Sequence, residues 1–486
     1  MKKLSKTIAV ALALILVLGM VTGCKTNAAR KNEKQETLRV FFNDSSSPDK
    51  GLVEEAVSKI TKEKLGVNIE FVMFGPGEYK EKIPLLLASN EKMDIGFDAG
   101  WLAYIERAKQ GAYYDITDLL KTKGEKLYNT VDQMLWKGIE VNNKIYGVPT
   151  YKEIAEQWAI YAEEDVLKSN NINPDSIKNL GDVETILEAL KKDPSRAGFM
   201  VNTANTWHVN LDKFSKFDTA TGDFVVARQE GKTILNYYLS PEYKNFVRLM
   251  RSWYNKGYIA KDIATRENYD EYIKNGNQKY GVSIVSYAPL NEIFSSKSYG
   301  KALVPIFITP TIVSNDSTRG SIFGVYKKSQ NPEKAFEFLQ LWNTDPQIKN
   351  LITYGIEGKH YNLVDGKAVR VKDVEKMYVN QNWATGNVFL SYLSEGEPDN
   401  KYEEYKKFNS RATSACTLGF TPDVASVSDK LAACTAAVKE FSPLLNVGVV
   451  DSDEYLPKFE ATLKAAGVDE VTKVLQDQYN SWLANK

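Results

Sequence analysis

Few side chains in this sequence could carry covalent or metal chemistry. The histidines are His208 and His360 alone, and the cysteines are Cys24, Cys416 and Cys434. Their spacing matches no H-E-x-x-H helix, zinc site or redox pair, and no nucleophile elbow or phosphate loop occurs. Asp451-Ser452-Asp453-Glu454 lacks the ligand spacing and the glycine of a calcium loop, so it reads as the polar start of a helix. No metal and no cofactor is expected. Two carboxylates roughly 5 to 10 Å apart would suffice for glycoside hydrolysis, but a sequence does not fix that separation. Non-covalent capture is better supplied. Flat rings beside short polar side chains suit a ligand with apolar faces and a polar rim. With 27 Tyr, 20 Phe and 8 Trp, most aromatics must be core, so the candidates are those at loop positions: Trp101, Tyr151, Trp207, Tyr287 and Trp383. Asn43, Asp44, Asp98 and Asn387 are the polar partners, with helix capping and turn closure as their alternative roles.

The elements that would position these groups alternate between strand and helix. Residues 37–42 (TLRVFF) form a strand pattern ended by a cluster of turn formers at 43–48. Leu52, Val53, Ala56, Val57 and Ile60 recur at helical spacing up to Gly66, and residues 67–74 return to strand. A helix over 78–88 with Pro84 inside it, a short strand over 93–97 and a helix over 102–110 repeat the pattern. Such alternation predicts a largely parallel sheet with helices on its faces. Ligands bind beyond the carboxyl ends of such strands, where loops and helix amino termini converge. The loops 43–48, 75–78 and 98–101 are therefore the expected site. Further on, 158–161 and 280–285 read as strands, and 184–190 and 243–254 as helices. At the end, 455–466 and 469–483 read as a helix pair split by Gly467.

Length and charge narrow the function. With 486 residues and 43% hydrophobic content, the chain is large enough for two lobes. Lys plus Arg number 62 against 62 Asp plus Glu, and neither sign forms a long run, so nothing marks a nucleic-acid surface. Lys2, Lys3 and Lys6 precede an apolar run over 8–21 that is shorter than the roughly 20 residues of a spanning helix, which reads as a signal peptide over 1–23. Val21-Thr22-Gly23-Cys24 resembles the lipobox of bacterial lipoproteins, which implies acylation of Cys24. Two acyl chains give stable membrane anchoring where one does not. Residues 24–36 are polar and aperiodic, a tether reaching on the order of 20 Å. Cys416 and Cys434 read as a disulfide or as two small buried hydrophobes.

Several segments carry a family resemblance. Leu86-Leu87-Ala88-Ser89-Asn90-Glu91-Lys92-Met93-Asp94-Ile95 is similar to the "laSGexpDi" segment of extracellular solute-binding proteins of the maltodextrin-binding type, with Asn90 where the family usually has Gly. Gly111-Ala112-Tyr113-Tyr114-Asp115-Ile116-Thr117-Asp118-Leu119-Leu120, Lys144-Ile145-Tyr146-Gly147-Val148-Pro149 and the segment from Asn331-Pro332-Glu333-Lys334-Ala335 to Leu339 resemble further motifs of that family, in its order. Tyr354-Gly355-Ile356-Glu357-Gly358-Lys359-His360-Tyr361 and the ending over 443–482 resemble its Gram-positive lipoprotein branch. Asn331 can also cap a helix and Pro332 suits its first turn.

The resemblance implies an α/β, two-lobed periplasmic-binding-protein-like fold with discontinuous lobes and a helical C-terminal region. It places lobe one at 37–148 and 305–345, lobe two at 149–304 and 346–441, and the C-terminal region at 442–486. It implies capture of a carbohydrate by hinge closure, delivery to the permease subunits of an ABC transporter, no enzymatic activity and a monomer tied to the extracytoplasmic membrane face. Glu357, His360 and Tyr361 join the candidate contacts, with packing between lobes as an equally good account. A binder of peptides or another solute, and an exported glycoside hydrolase, remain the alternatives.

Overall fold

In the computed structural model, residues 36–45, 47–89, 91–204, 208–222, 224–230, 232–266 and 269–485 are described. The signal-peptide and Cys24 expectations, the tether up to residue 35, and Trp207 lie outside them, while Glu36, expected in the tether, already belongs to a strand. The first strand, β1 (Glu36–Asn43), buries Leu38, Val40, Phe41 and Phe42, as a strand covered on both faces must. In β2 (Val67–Phe74) buried and half-buried residues alternate strictly, the mark of one covered face. The helix between them, Lys50–Leu65, turns Val53, Val57 and Thr61 inward. It ends at Gly66, whose φ of 75° lets its N–H return to the Lys62 carbonyl.

With β3 (Ile95–Asp98) and β4 (Gly147–Pro149), these strands build a five-stranded sheet in the order β2, β1, β3, Ile322–Val325, β4. β1 and β3 run parallel. Strand Ile322–Val325 runs antiparallel to both of its neighbours, so the sheet is mixed rather than largely parallel. That strand arrives from a distant part of the chain and enters from the opposite end. Its first residue, Ile322, pairs with Asp98 on one side and Pro149 on the other, so the turns after β3 and β4 and the turn before Ile322 share one edge.

A second sheet has β5 (Trp158–Glu163) at its centre, flanked antiparallel by Leu303–Phe307 and Val282–Ser286. The two sheets sit in separate hydrophobic cores, which define two lobes. Lobe one gathers buried residues from Leu38 to Ala155 and from Val313 to Phe408. Lobe two gathers residues between Trp158 and Ile312 and between Ala415 and Tyr479, except Leu418, which packs in lobe one, and a small second cluster around Tyr161 and Tyr280 lies on its sheet. The expected boundaries shift accordingly. Pro149 is paired in the first sheet, Pro305 pairs with Tyr161 in the second, and helix Pro346–Tyr354 packs on Lys50–Leu65 in lobe one. Helices Ser428–Asn446, Ser452–Ala465 and Val468–Ala484 are part of lobe two's core, so the helical ending is not a separate region after 441. Cys416 and Cys434 are both free thiols.

Three crossings join the lobes side by side. Glu156 and Ile312 exchange backbone hydrogen bonds at 2.7 and 3.0 Å. Strand Ile312–Val313 pairs in parallel with Thr413–Ser414. The change of lobe falls between adjacent residues: Ile312 belongs to one core and Val313 to the other.

Candidate groove between the lobes

Two cavities, of about 410 and 370 Å³, open beside the crossings, and each is walled by both lobes. Both reach the short helix Asn315–Thr318, which follows the second crossing. Ser314 starts that helix: its hydroxyl accepts from Ser317 N, the Ser317 hydroxyl accepts from Ser314 N, and the Ser314 hydroxyl donates to Glu156 Oε2 at 3.1 Å. Asp316, exposed on this helix, lines both cavities.

The lobe-one wall of the larger cavity is the turn after β3. Gly100 N donates to Arg319 O at 2.8 Å, and Trp101 Nε1 donates to Gly320 O at 3.1 Å. The indole N–H is thereby satisfied inside the protein, while the ring, tilted against Phe97 at 6.0 Å between centroids, stays 55% exposed. A held ring with an open face is a platform for an apolar surface. Ile105, Glu106 and Arg319 complete this wall, and lobe two contributes residues 219–222 with Thr421, Pro422 and Val424. Arg319 donates from Nε to Gly138 O at 2.7 Å. Burial pushes its guanidinium down to about 10, against the opposing charges of Asp316, Tyr104 and Glu106.

The smaller cavity lies on the other side of Asp316. Lobe one lines it with residues 152–156 and Gly320, and lobe two with Ser286, Tyr287, Ala288 and Asn291. Tyr287 is held edge-on by Phe307 at 4.8 Å and by Phe408 at 5.9 Å. Lys152 and Glu153 form an ion pair at 3.1 Å. The Glu156 carboxyl accepts from Trp158 Nε1 at 3.0 Å as well as from Ser314. Burial, aided by the charge of Asp316, pushes it up to about 7.

Of the residues expected from sequence, the structure brings Trp101 and Tyr287 to this groove. Trp383 is 45% exposed on the turn Asn382–Ala384, whose Ala384 carbonyl accepts from the Ser321 hydroxyl next to Gly320. Tyr151 is half-buried and packs edge-on against Phe389 at 4.7 Å.

Asp98, Asp44, Asn387, His360 and Tyr361 are taken up by the protein itself, which corrects their expected role, whereas Asn43 and Glu357 are not. Asp98 is fully buried, paired with Arg107 at 3.0 Å and hydrogen bonded by Tyr113, and burial pushes its carboxyl up to about 6 against those two partners. Asp44 is buried and accepts from Ser45 N and Gln381 N at 2.8 and 3.1 Å. Asn387 is buried, caps the following turn through Phe389 N and donates to Asn343 O at 3.3 Å. His360 is fully buried, with Nδ1 accepting from Ile356 N at 2.8 Å and Nε2 3.2 Å from Asp49 Oδ2. Tyr361 packs in a small cluster with Tyr354 and Ala368. Glu357 is exposed on the turn before it. Asn43 closes β1, and its side-chain oxygen is buried. Glu106, Asp316, Arg319 and Asn291 were not foreseen, because they meet only when distant segments fold together.

Comparison with known proteins agrees with this architecture. The sequence profile of the bacterial extracellular solute-binding protein family matches residues 43–349. That of the domain of unknown function DUF3502 matches residues 416–484, which begin just past the third crossing. A carbohydrate ABC transporter substrate-binding protein of Streptococcus pneumoniae is 29% identical over 96% of this chain and 95% of its own. The N-glycan transport solute binding protein NgtS of the same organism is 26% identical, covering 93% of this chain and 99% of its own, with a TM-score of 0.79. Its complex with Man1GlcNAc gives a TM-score of 0.70 at the same identity, covering 92% of this chain and 100% of its own.

Proposed function

Since the chain belongs to the bacterial extracellular solute-binding protein family, we propose that it captures an oligosaccharide in the groove between its lobes and delivers it unaltered to the permease subunits of an ABC transporter. One observation carries the reading most directly. Trp101 presents an open ring face, its N–H held by Gly320, in the cavity that the exposed carboxylate Asp316 also lines. A sugar ring needs both, a flat surface for its C–H face and acceptors for its hydroxyls. The carbohydrate-binding relatives support the same ligand class.

Three thin crossings between two separately packed lobes favour hinge motion as the response. Ligand bound to Trp101 on one lobe and Tyr287 on the other stabilises the closed arrangement only through contacts made to both at once. Closure is then the signal the permease reads. The lipobox-like run ending in Cys24 supports diacylation of that cysteine, which would hold a monomer at the outer face of the membrane.

The test is a melting-temperature screen of the purified protein against oligosaccharides and peptides. A ligand at about 100 times its Kd adds roughly 2.7 kcal/mol of stability. A shift with a sugar, with the sugar recovered intact, is the expected result. A shift with peptides alone, or release of a cleaved product, overturns the reading.

A further inference from the structure

The last helix of the chain holds a short segment against the groove. Gln478, on Val468–Ala484, grips both backbone groups of Asp423: its Oε1 accepts from Asp423 N and its Nε2 donates to Asp423 O, each at 2.7 Å. Tyr479 and Trp482 follow it on the same helix and pack against the Phe420 ring, with centroids 5.2 and 5.6 Å away. The segment so held, residues 417–424, lies within the match to the domain of unknown function and ties together parts of the larger cavity. Asn315, beside Asp316, donates to Thr417 O at 2.8 Å and accepts from Gly419 N at 2.9 Å. Thr417 N donates to Asp218 Oδ2 at 3.0 Å, at the root of the wall over 219–222. From lobe one, Lys109 donates to Pro422 O at 2.8 Å. Thr421, Pro422 and Val424 line the cavity that Trp101 lines from lobe one.

We propose that the domain of unknown function is part of the sugar site: its Thr421–Val424 segment selects among glycans by the shape of the unit stacked on Trp101, and Gln478 is the positioning residue that holds the segment in place. The inference rests on the groove being the sugar site. A pyranose has two faces, and an indole covers one of them. The segment meets what Trp101 leaves uncovered, offering the apolar Pro422 and Val424 beside the Thr421 hydroxyl, with the Pro422 carbonyl already spent on Lys109. Such a wall discriminates only if it does not yield, because a misfit is rejected by a surface that stays where the fold puts it. Loops are ordinarily the parts that yield. The bonds to Gln478 and Asn315 take that freedom away, so the C-terminal helices serve recognition as well as the packing of lobe two.

The experiment is calorimetric titration of the full chain with linear and branched malto-, manno-, xylo- and galacto-oligosaccharides and a mannose–N-acetylglucosamine core, repeated on Trp101→Ala, Gln478→Ala and Thr421→Phe. Melting temperatures establish that each variant folds. Gln478 is half-buried at the surface, so its removal should leave melting nearly unchanged. Gln478→Ala should weaken the tightest sugar by about threefold to tenfold and flatten the differences among sugars, since a released wall excludes less. Thr421→Phe narrows the cavity and should cut the binding of branched sugars by about tenfold or more, with a smaller loss for linear ones. Thr421→Val keeps the shape and takes its place if the larger residue does not fold, with an expected loss of about threefold to tenfold for the missing hydroxyl. If Trp101→Ala weakens binding while Gln478→Ala and the change at Thr421 leave every affinity in place, the segment lies outside the site, and the inference falls with the sugar site left standing. If Gln478→Ala weakens all sugars by one common factor, its role is support alone and the selection falls. Binding of no sugar by the wild type overturns both the inference and the reading it rests on.

Discussion

The Glu156 carboxyl accepts a hydrogen bond from the Ser314 hydroxyl at 3.1 Å, fastening the first crossing between the lobes to the second. The backbones of the same two crossings are already paired through Glu156 and Ile312. A carboxyl in this place responds to pH. Burial and the neighbouring Asp316 raise it from an ordinary 4.5 to about 7, so between those values the folded protein holds a proton that the unfolded chain has released. Its stabilising contribution is full below about pH 4.5 and is lost as pH rises through about 7. Glu156→Gln keeps an acceptor for Trp158 and gives Ser314 a donor, without a charge to bury. The variant should match the wild type at pH 5 and exceed it at pH 8 by on the order of 1–3 kcal/mol. Urea denaturation at the two pH values measures this, and a difference that does not grow with pH rules out a proton at this crossing.

A second buried charge supports the turn that carries Trp383. Lys349 is fully buried, and its ammonium donates to Asn382 Oδ1 at 2.8 Å, to Thr385 Oγ1 at 3.1 Å and to the Thr385 carbonyl. Burial without a carboxylate partner drives its pKa well below the usual lysine value. Lys349→Met removes three donors and leaves the Thr385 carbonyl enclosed and unpaired, a loss of about 1–3 kcal/mol. The wild type binds fewer protons folded than unfolded in the range below pH 10.5, so its own stability climbs as pH rises toward that value. The gap between wild type and variant should widen from pH 7 to pH 10. A constant gap in chemical denaturation would mean that the lysine keeps its proton in the folded protein over this range.

Local structure was legible where one short signal sufficed. Residues 67–74 form the expected strand, and Asn331 caps its helix through Lys334 N as its type and the following Pro332 suggest. Direction was not legible. The hydrophobic run at Ile322–Val325 carries nothing to say that it enters the sheet antiparallel. Candidate contacts failed for a related reason. Loop position places Asp98, Asp44 and Asn387 near the strand ends, but whether a polar side chain faces a ligand depends on whether the fold already satisfies it. Arg107, Gln381 and, for Asn387, the Asn343 carbonyl do so from other parts of the chain. Trp101 remains a candidate because its N–H is satisfied inside the protein and its ring is not covered.

That difference separates binding from stability. Trp101→Ala should weaken sugar binding by about 0.5–1.5 kcal/mol or more and leave the melting temperature nearly unchanged, since the ring is mostly exposed. His360→Ala should do the reverse. It removes the acceptor for Ile356 N and the bond to Asp49, and opens space beside Tyr378, for a loss of about 1–3 kcal/mol with affinity retained. Calorimetric titration and melting of both variants make the comparison. Affinity lost in His360→Ala and kept in Trp101→Ala would exchange the two roles.

The C-terminal helices are part of the lobe-two core and not an appendage to it. Leu445, Phe459, Leu463, Val471, Leu475 and Tyr479 are buried in the same core as Phe246 and Trp253, which come from helix Pro241–Lys256. Phe459 packs against Tyr238 and Phe441, with ring centroids 5.5 and 5.3 Å apart, so a cavity left there is lined by rigid rings that cannot collapse into it. Phe459→Ala should therefore cost about 3–5 kcal/mol. Removal of everything after residue 415 would uncover Trp253 and Phe246 and strip lobe two of the buried side chains that its last three helices supply, so the truncated chain should lose one cooperative transition while lobe one keeps its own. Calorimetry of the truncated protein, with tryptic digestion to identify the surviving lobe, provides the measurement. A truncated chain that melts in the full set of transitions and still closes on sugar would show that lobe two folds without these helices, and their burial would then need another cause.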